Sequence, residues 1–274
     1  MHRVLCSTGA LIGRPNGRDW HLLNGCRDQL HCDGFEFMMY DTWYDDWEQI
    51  ADYVEGLRLT IPTLHCEKCI GEEISLRGPG DWEDAFRKFD QNCRLAVRLG
   101  AKLMVLHLWD GVTSDRYFDN NLAAYPYLRE RAEKQGILLT VENVVCNQGD
   151  PLTHWRVLQK QYPDAQFTFD TKMAAFHDQL ECMYLPENAD LWAHIAHLHI
   201  NDYAGGYLDW SHLRTLHIGD GRLNFEKLFA FLRDIHYAGD YTVEATSFLP
   251  DGVIHWQDLN RSVDRVRALL NIGG

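Results

Sequence analysis

Short apolar runs and amphipathic stretches alternate along the whole chain. Eight runs are rich in β-branched, aliphatic or aromatic residues and read as strands: 2–7, 34–39, 59–65, 102–108, 137–142, 166–170, 196–201 and 240–245. Between them the apolar positions shift to helical spacing. Over Asp81–Leu99, Trp82, Ala85, Phe86, Phe89, Cys93, Ala96 and Val97 recur every three or four residues. In Asn224–His236, Phe225, Leu228, Phe229 and Leu232 do the same behind Asn224 as N-cap. The segment Trp256–Leu270 repeats Trp256, Leu259, Val263, Val266 and Leu270 and would close an outer helical ring. Eight strands alternating with about eight helices predict a single-domain (β/α)8 TIM barrel over residues 1–274. The longest irregular stretches are expected after strands, at about 8–19, 66–80, 109–120 and 202–223, where they would stand over the catalytic face.

Composition narrows the function. The 274 residues are 46% hydrophobic with nine Trp, ample for one large core, and carry a formal net charge of −14. That surface repels phosphate backbones, so no nucleic-acid partner is expected. No run has transmembrane length and no signal-peptide succession opens the chain, so neither a membrane partner nor export is expected, and the cytoplasm is the default location. The eight cysteines are scattered. The pair Cys66 and Cys69 lacks the second pair that a structural zinc site needs. No Gly-x-Gly-x-x-Gly follows a strand, which leaves dinucleotide binding without support.

The candidate chemistry lies at strand ends. Glu142, Asp170, His199 and Glu244 each close one of the last four strands, and parallel strands in a barrel bring such ends to one mouth. Two Glu, one Asp and one His suit one divalent metal ion, Mn²⁺ first, with Mg²⁺, Co²⁺ or Zn²⁺ as alternatives. Buried carboxylates are costly without a cation, which such an ion supplies. His65 and His107 end the third and fourth strands. They are candidates to bind a second metal, to hold a substrate hydroxyl, or to donate to the carboxylates. His197 lies one layer deeper than His199. His217 follows a long loop and could reach the mouth. Trp43, Tyr44, Trp47, Trp109, Tyr203, Tyr207 and Trp210 follow strands and could stack on a sugar or pack the barrel top. Arg14, Arg18, Lys172 and Arg222 are the cations to consider if the substrate bears a phosphate.

The motifs Val141-Glu142-Asn143, Phe169-Asp170-Thr171, His197-x-His199-x-x-Asp202, Ile218-Gly219-Asp220-Gly221-x-x-Asn224-Phe225 and Tyr237 to Glu244 resemble, in this order, the sugar phosphate isomerase/epimerase family of xylose isomerase-like TIM barrels. The resemblance implies a small-molecule sugar or sugar-derivative substrate and one divalent metal held by Glu142, Asp170, His199 and Glu244. It further implies that Glu142 and Glu244 exchange a proton with a sugar carbon through an enediolate. Independently of the resemblance, His65, His107, Trp109, Lys172 and His217 are the candidates for substrate contact, from their places at strand ends and in the loops that follow. Two positions depart from the ketose 3-epimerases: Met173 stands where they often carry a His, and Gln148 where they carry a Glu. Three further readings share the pattern. An inosose dehydratase-like or hydroxypyruvate isomerase-like activity would use the same core. An endonuclease IV-like phosphodiesterase would also need ligands where Met173 and Thr215 stand. A non-catalytic carbohydrate-binding barrel would keep the metal without turnover. Barrels of this kind often pair, so a homo-oligomer is left open.

Overall fold

A computed structural model describes residues 2–271. The eight expected strands are all present: β1 Val4–Ser7, β2 Gly34–Met38, β3 Thr63–His65, β4 Leu103–Leu106, β5 Leu138–Glu142, β6 Gln166–Asp170, β7 Ile195–Ile200 and β8 Asp240–Val243. They close into a barrel in sequence order, as a (β/α)8 TIM barrel requires. By contact density the chain forms two compact units. One runs to Phe35 and resumes at Phe169; the other is Glu36–Thr168.

Register explains which side chains point where. In β4 and β5, Val105 lies beside Thr140 and Leu106 beside Val141; in β5 and β6, Thr140 lies beside Gln166 and Glu142 beside Thr168. In β7 and β8, His197 lies beside Asp240 and His199 beside Thr242. Side chains alternate along a strand. Thr140 and Glu142 therefore share one face, where the Thr140 and Thr168 hydroxyls meet at 2.7 Å. The opposite face of β6 offers Phe167 to the indole of Trp155, stacked 4.4 Å apart. On β8, Tyr241 stacks on Phe229 at 5.4 Å.

Three details differ from the sequence expectation. β3 begins only at Thr63, because Pro62 has no N–H to give the sheet; its carbonyl instead accepts from Lys102 at 2.9 Å. Val97, expected on the apolar face of the helix Glu83–Leu99, is exposed, while Asn92 takes a buried place beneath it. Asn92 donates to the Tyr44 hydroxyl at 3.0 Å. The third difference is larger. The stretch 66–80 is not irregular, since Cys69–Arg77 is an α-helix burying Ile70, Gly71 and Ile74. Two apolar residues four apart are too faint a period to announce a helix. Gly71 is what lets it dock: a Cβ there would stand 2.2 Å from the His107 carbonyl oxygen.

Candidate active site

Within the unit Glu36–Thr168, three of the expected residues converge. Their ligand atoms, from His65, His107 and Glu142, lie within 4.8 Å of one another, and all three side chains are buried. His65 ends β3, and its Nδ1 is paired with the Cys66 carbonyl at 2.8 Å. Its Nε2 stands 3.3 Å from Glu142 Oε2. His107 follows β4 directly, with Nε2 at 2.7 Å from the same oxygen. The two imidazoles meet edge to face, centroids 4.8 Å apart.

Their environments push them in opposite directions. Burial lowers the pKa of His65, and its bond to Glu142 does not make up the loss. Burial also opposes charge on His107, but the carboxylates of Asp110 and Glu142 outweigh it and hold the ring up at about 9. Asp110 Oδ2 lies 2.5 Å from His107 Nδ1, and Asp110 in turn accepts from the Gly111 amide at 2.6 Å. The sequence reading missed Asp110. Its only signal was a spacing of three residues behind a strand-terminal His.

Within the other unit, Asp170, His199 and Glu244 converge, their ligand atoms again within 4.8 Å of one another. Asp170 ends β6 and caps the helix Thr171–Phe176, its Oδ1 accepting from the Met173 amide at 2.8 Å. Its Oδ2 accepts from Asn201 Nδ2 at 2.8 Å. The same Nδ2 donates to Glu244 Oε2 at 3.1 Å, and Asn201 Oδ1 accepts from the Glu244 amide at 3.2 Å. His199 Nδ1 stands 3.4 Å from Glu244 Oε2. Asn201 is held by Thr171, whose hydroxyl donates to the Asn201 carbonyl at 2.7 Å. One layer below, His197 Nε2 pairs with the Thr242 hydroxyl at 2.9 Å. Asn201 was missed as well, though His197, His199 and Asn201 form a period-2 polar row that marks it.

The remaining expected residues take separate places. Trp109 is fully buried; its Nε1 donates to the Val144 carbonyl at 3.0 Å, and its ring packs edge-on against Phe118 and His154. Lys172 is buried and donates to the Thr215 hydroxyl at 3.2 Å. His217 is half-buried, 3.0 Å from Ser262 Oγ, and burial lowers its pKa. Trp43, Tyr44 and Tyr203 are buried, whereas Tyr207 and Trp210 are exposed. Gln148 is exposed, and Arg14 and Arg222 face solvent.

A third cluster, Asp115, Cys146 and His154, also has ligand atoms within 4.8 Å of one another. Its carboxylate is already committed. Asp115 accepts from the amides of Asn147, Gln148 and Gly149 at 2.7, 2.9 and 2.6 Å and from His154 Nε2 at 2.9 Å. Burial alone would raise its pKa, but these donors hold the carboxyl well below the usual range. The cluster is a clasp on the segment after β5.

All eight cysteines are free, and no helix among the described residues is long and apolar enough to cross a membrane. No curated protein sequence matches the chain. Solved structures share its fold at low identity. An L-ribulose 3-epimerase is 17% identical, with a TM-score of 0.73 over 99% of this chain and 95% of the other. D-Psicose 3-epimerase with D-tagatose, from Clostridium cellulolyticum H10, is 12% identical, with a TM-score of 0.72 over 98% and 99%. The IOLI protein with a binding zinc atom is 13% identical, with a TM-score of 0.72 over 98% of both chains. A family model described as xylose isomerase-like TIM barrel matches residues 28–263. With that match spanning most of the closed barrel, the chain belongs to the xylose isomerase-like TIM barrel family.

Proposed function

We propose that this protein is a divalent-metal-dependent isomerase or epimerase of a sugar or sugar derivative. The carrying observation is the convergence of Asp170, His199 and Glu244, braced by one Asn201 amide. Two carboxylates and an imidazole held this closely form a donor set that fits a divalent ion. Glu142 is the fourth ligand of the proposal, since it ends β5 in the same closed parallel barrel. Mn²⁺ is the favoured ion; a zinc-bearing structural neighbour agrees with a divalent one.

When bound, the ion would polarise a substrate carbonyl and stabilise negative charge on adjacent oxygens. The chain's own residues do the rest. Glu142 and Glu244 are the acid/base pair that takes and returns a proton at a sugar carbon, through an enediolate. His107, kept protonated by Asp110 and Glu142, presents its Nε2 N–H to Glu142. His65, whose Nδ1 donates to the Cys66 carbonyl, turns Nε2 toward the same carboxylate; both position substrate. Lys172 and His217 contact the far part of the substrate, while Trp109 supports the wall from within the core. Free cysteines suit the cytoplasm as the working compartment. The phosphodiesterase reading is disfavoured because Met173 and Thr215 stand where two of its zinc ligands would be needed.

The test joins metal content to isotope exchange. Protein purified without added metal should carry about one equivalent of a divalent ion, and Glu142→Gln/His199→Ala none. Ketoses in D₂O should exchange hydrogen at carbon, and Glu142→Gln and Glu244→Gln should each slow exchange by about 10²-fold or more. Full activity in both Gln variants would sink the reading.

A further inference from the structure

Lys172 is a buried cation without a counter-charge. It stands two residues beyond Asp170, in the helix Thr171–Phe176, and its residue exposure is 8%. Its ammonium donates to the Thr215 hydroxyl at 3.2 Å, and no carboxylate among the described residues pairs with it. Lys88 shows the ordinary arrangement: though more exposed, it lies 2.7 Å from Glu73 and 3.0 Å from Asp84. An ammonium taken from water needs an opposite charge, and one neutral hydroxyl returns only part of the lost solvation.

The group facing Lys172 is itself polar. Leu216 exchanges both backbone hydrogen bonds with Asp202, at 3.1 and 3.3 Å, so the chain around it is extended. Thr215, its neighbour in the chain, faces Lys172, whereas His217 is turned to Ser262, its Nδ1 3.0 Å from Ser262 Oγ. This segment follows β7, and Lys172 follows β6, the strands that present His199 and Asp170. Asp202 keeps the segment in place, accepting from the amides of Gly219, Gly221 and Leu223 at 2.8, 3.0 and 3.1 Å.

We infer that Lys172, with Thr215, forms a subsite for an anionic group, so that the substrate is a sugar bearing a phosphate or a carboxylate. The placement of this subsite beside the reacting carbon rests on the proposed proton-transfer function; anion binding itself does not. A neutral ketose would leave the ammonium as it now stands. An anion would complete it through charge-assisted hydrogen bonds from Lys172 and Thr215.

The experiment is calorimetric titration of the metal-loaded protein with inorganic phosphate, glycolate and the neutral polyol xylitol, in parent, Lys172→Gln, Lys172→Arg and Thr215→Val. One of the two anions should bind the parent, and about 10- to 100-fold more weakly to Lys172→Gln. Lys172→Arg should retain much of the affinity, and Thr215→Val should lose part of it. Phosphate outbinding glycolate assigns a phosphate monoester; the reverse assigns a sugar acid. Equal anion binding by parent and Lys172→Gln, or no binding of either anion to the parent, overturns the inference. If Lys172→Gln does not fold, a Thr215→Val variant with unchanged anion affinity overturns it too. Carbon exchange in D₂O then separates the two claims. Exchange confined to neutral sugars and indifferent to Lys172 removes the anion subsite and leaves proton transfer standing. Lys172-dependent anion binding without exchange on any sugar keeps the subsite and removes the proposed reaction.

Discussion

Asp110 holds His107 by the ring nitrogen opposite the one that faces Glu142, 2.5 Å on one side and 2.7 Å on the other. An imidazole between two carboxylates keeps its second proton, and the ring becomes a fixed bridge between them. In metal-free protein, Asp110→Asn removes one of the two charges that raise His107. Its pKa, now about 9, should fall by a unit or more, as read by nitrogen-resolved NMR of the imidazole. An unmoved His107 resonance would show that Glu142 alone sets it.

Asn201 is the neutral member of the ligand group. Asn201→Ala leaves Asp170 and Glu244 without their shared donor, while the residues that would bind the ion stay in place. Metal affinity should drop about 10- to 100-fold with the fold preserved, measured by competition with a chelating dye. Affinity equal to the parent would mean the carboxylates orient themselves.

Asp115 makes the segment after β5 acid-sensitive. Its folded pKa lies below the unfolded value of about 3.9, so its contribution is full above that value and is lost as pH falls toward the depressed one. Asp115→Asn should therefore lower Tm most near neutrality and progressively less below about pH 4. Asp115→Ala, which strands three amides, should cost about 3 kcal/mol in urea unfolding. A parent-to-variant gap that stayed constant down to pH 2 would contradict this account.

Gly71 admits no side chain. Gly71→Ala sets a methyl against the carbonyls of His107 and Leu108, and backbone atoms cannot swing aside. Destabilisation of about 1–3 kcal/mol is expected, together with a disturbed His107. Unchanged urea midpoints would show that the helix Cys69–Arg77 can retreat at little cost.

The barrel and its strand-end chemistry were legible because both rest on local pattern. Each of Glu142 and Asp170 ends a β-branched or aromatic run, while His199 stands one residue before the end of β7 and Glu244 one residue after β8. What was not legible depends on tertiary contact. The helix Cys69–Arg77 is stabilised by docking through Gly71, and its own periodicity is weak. Asn201 and Asp110 act by touching charged neighbours, and an Asn or an Asp just past a strand looks like an ordinary turn residue. Lys172 was one of four cations open to a phosphate; burial and the lack of a carboxylate partner set it apart, and neither can be read from a string of letters.

The Asn201 amide gives its hydrogens to two carboxylates that carry like charge. Left alone, those groups would swing apart, and an arriving ion would have to gather them. Because one rigid, uncharged side chain spans both, their separation is set before any ion enters. The site thus behaves as a gauge cut to size in advance, and an ion too small or too large must work against the β7 backbone instead of against two free side chains.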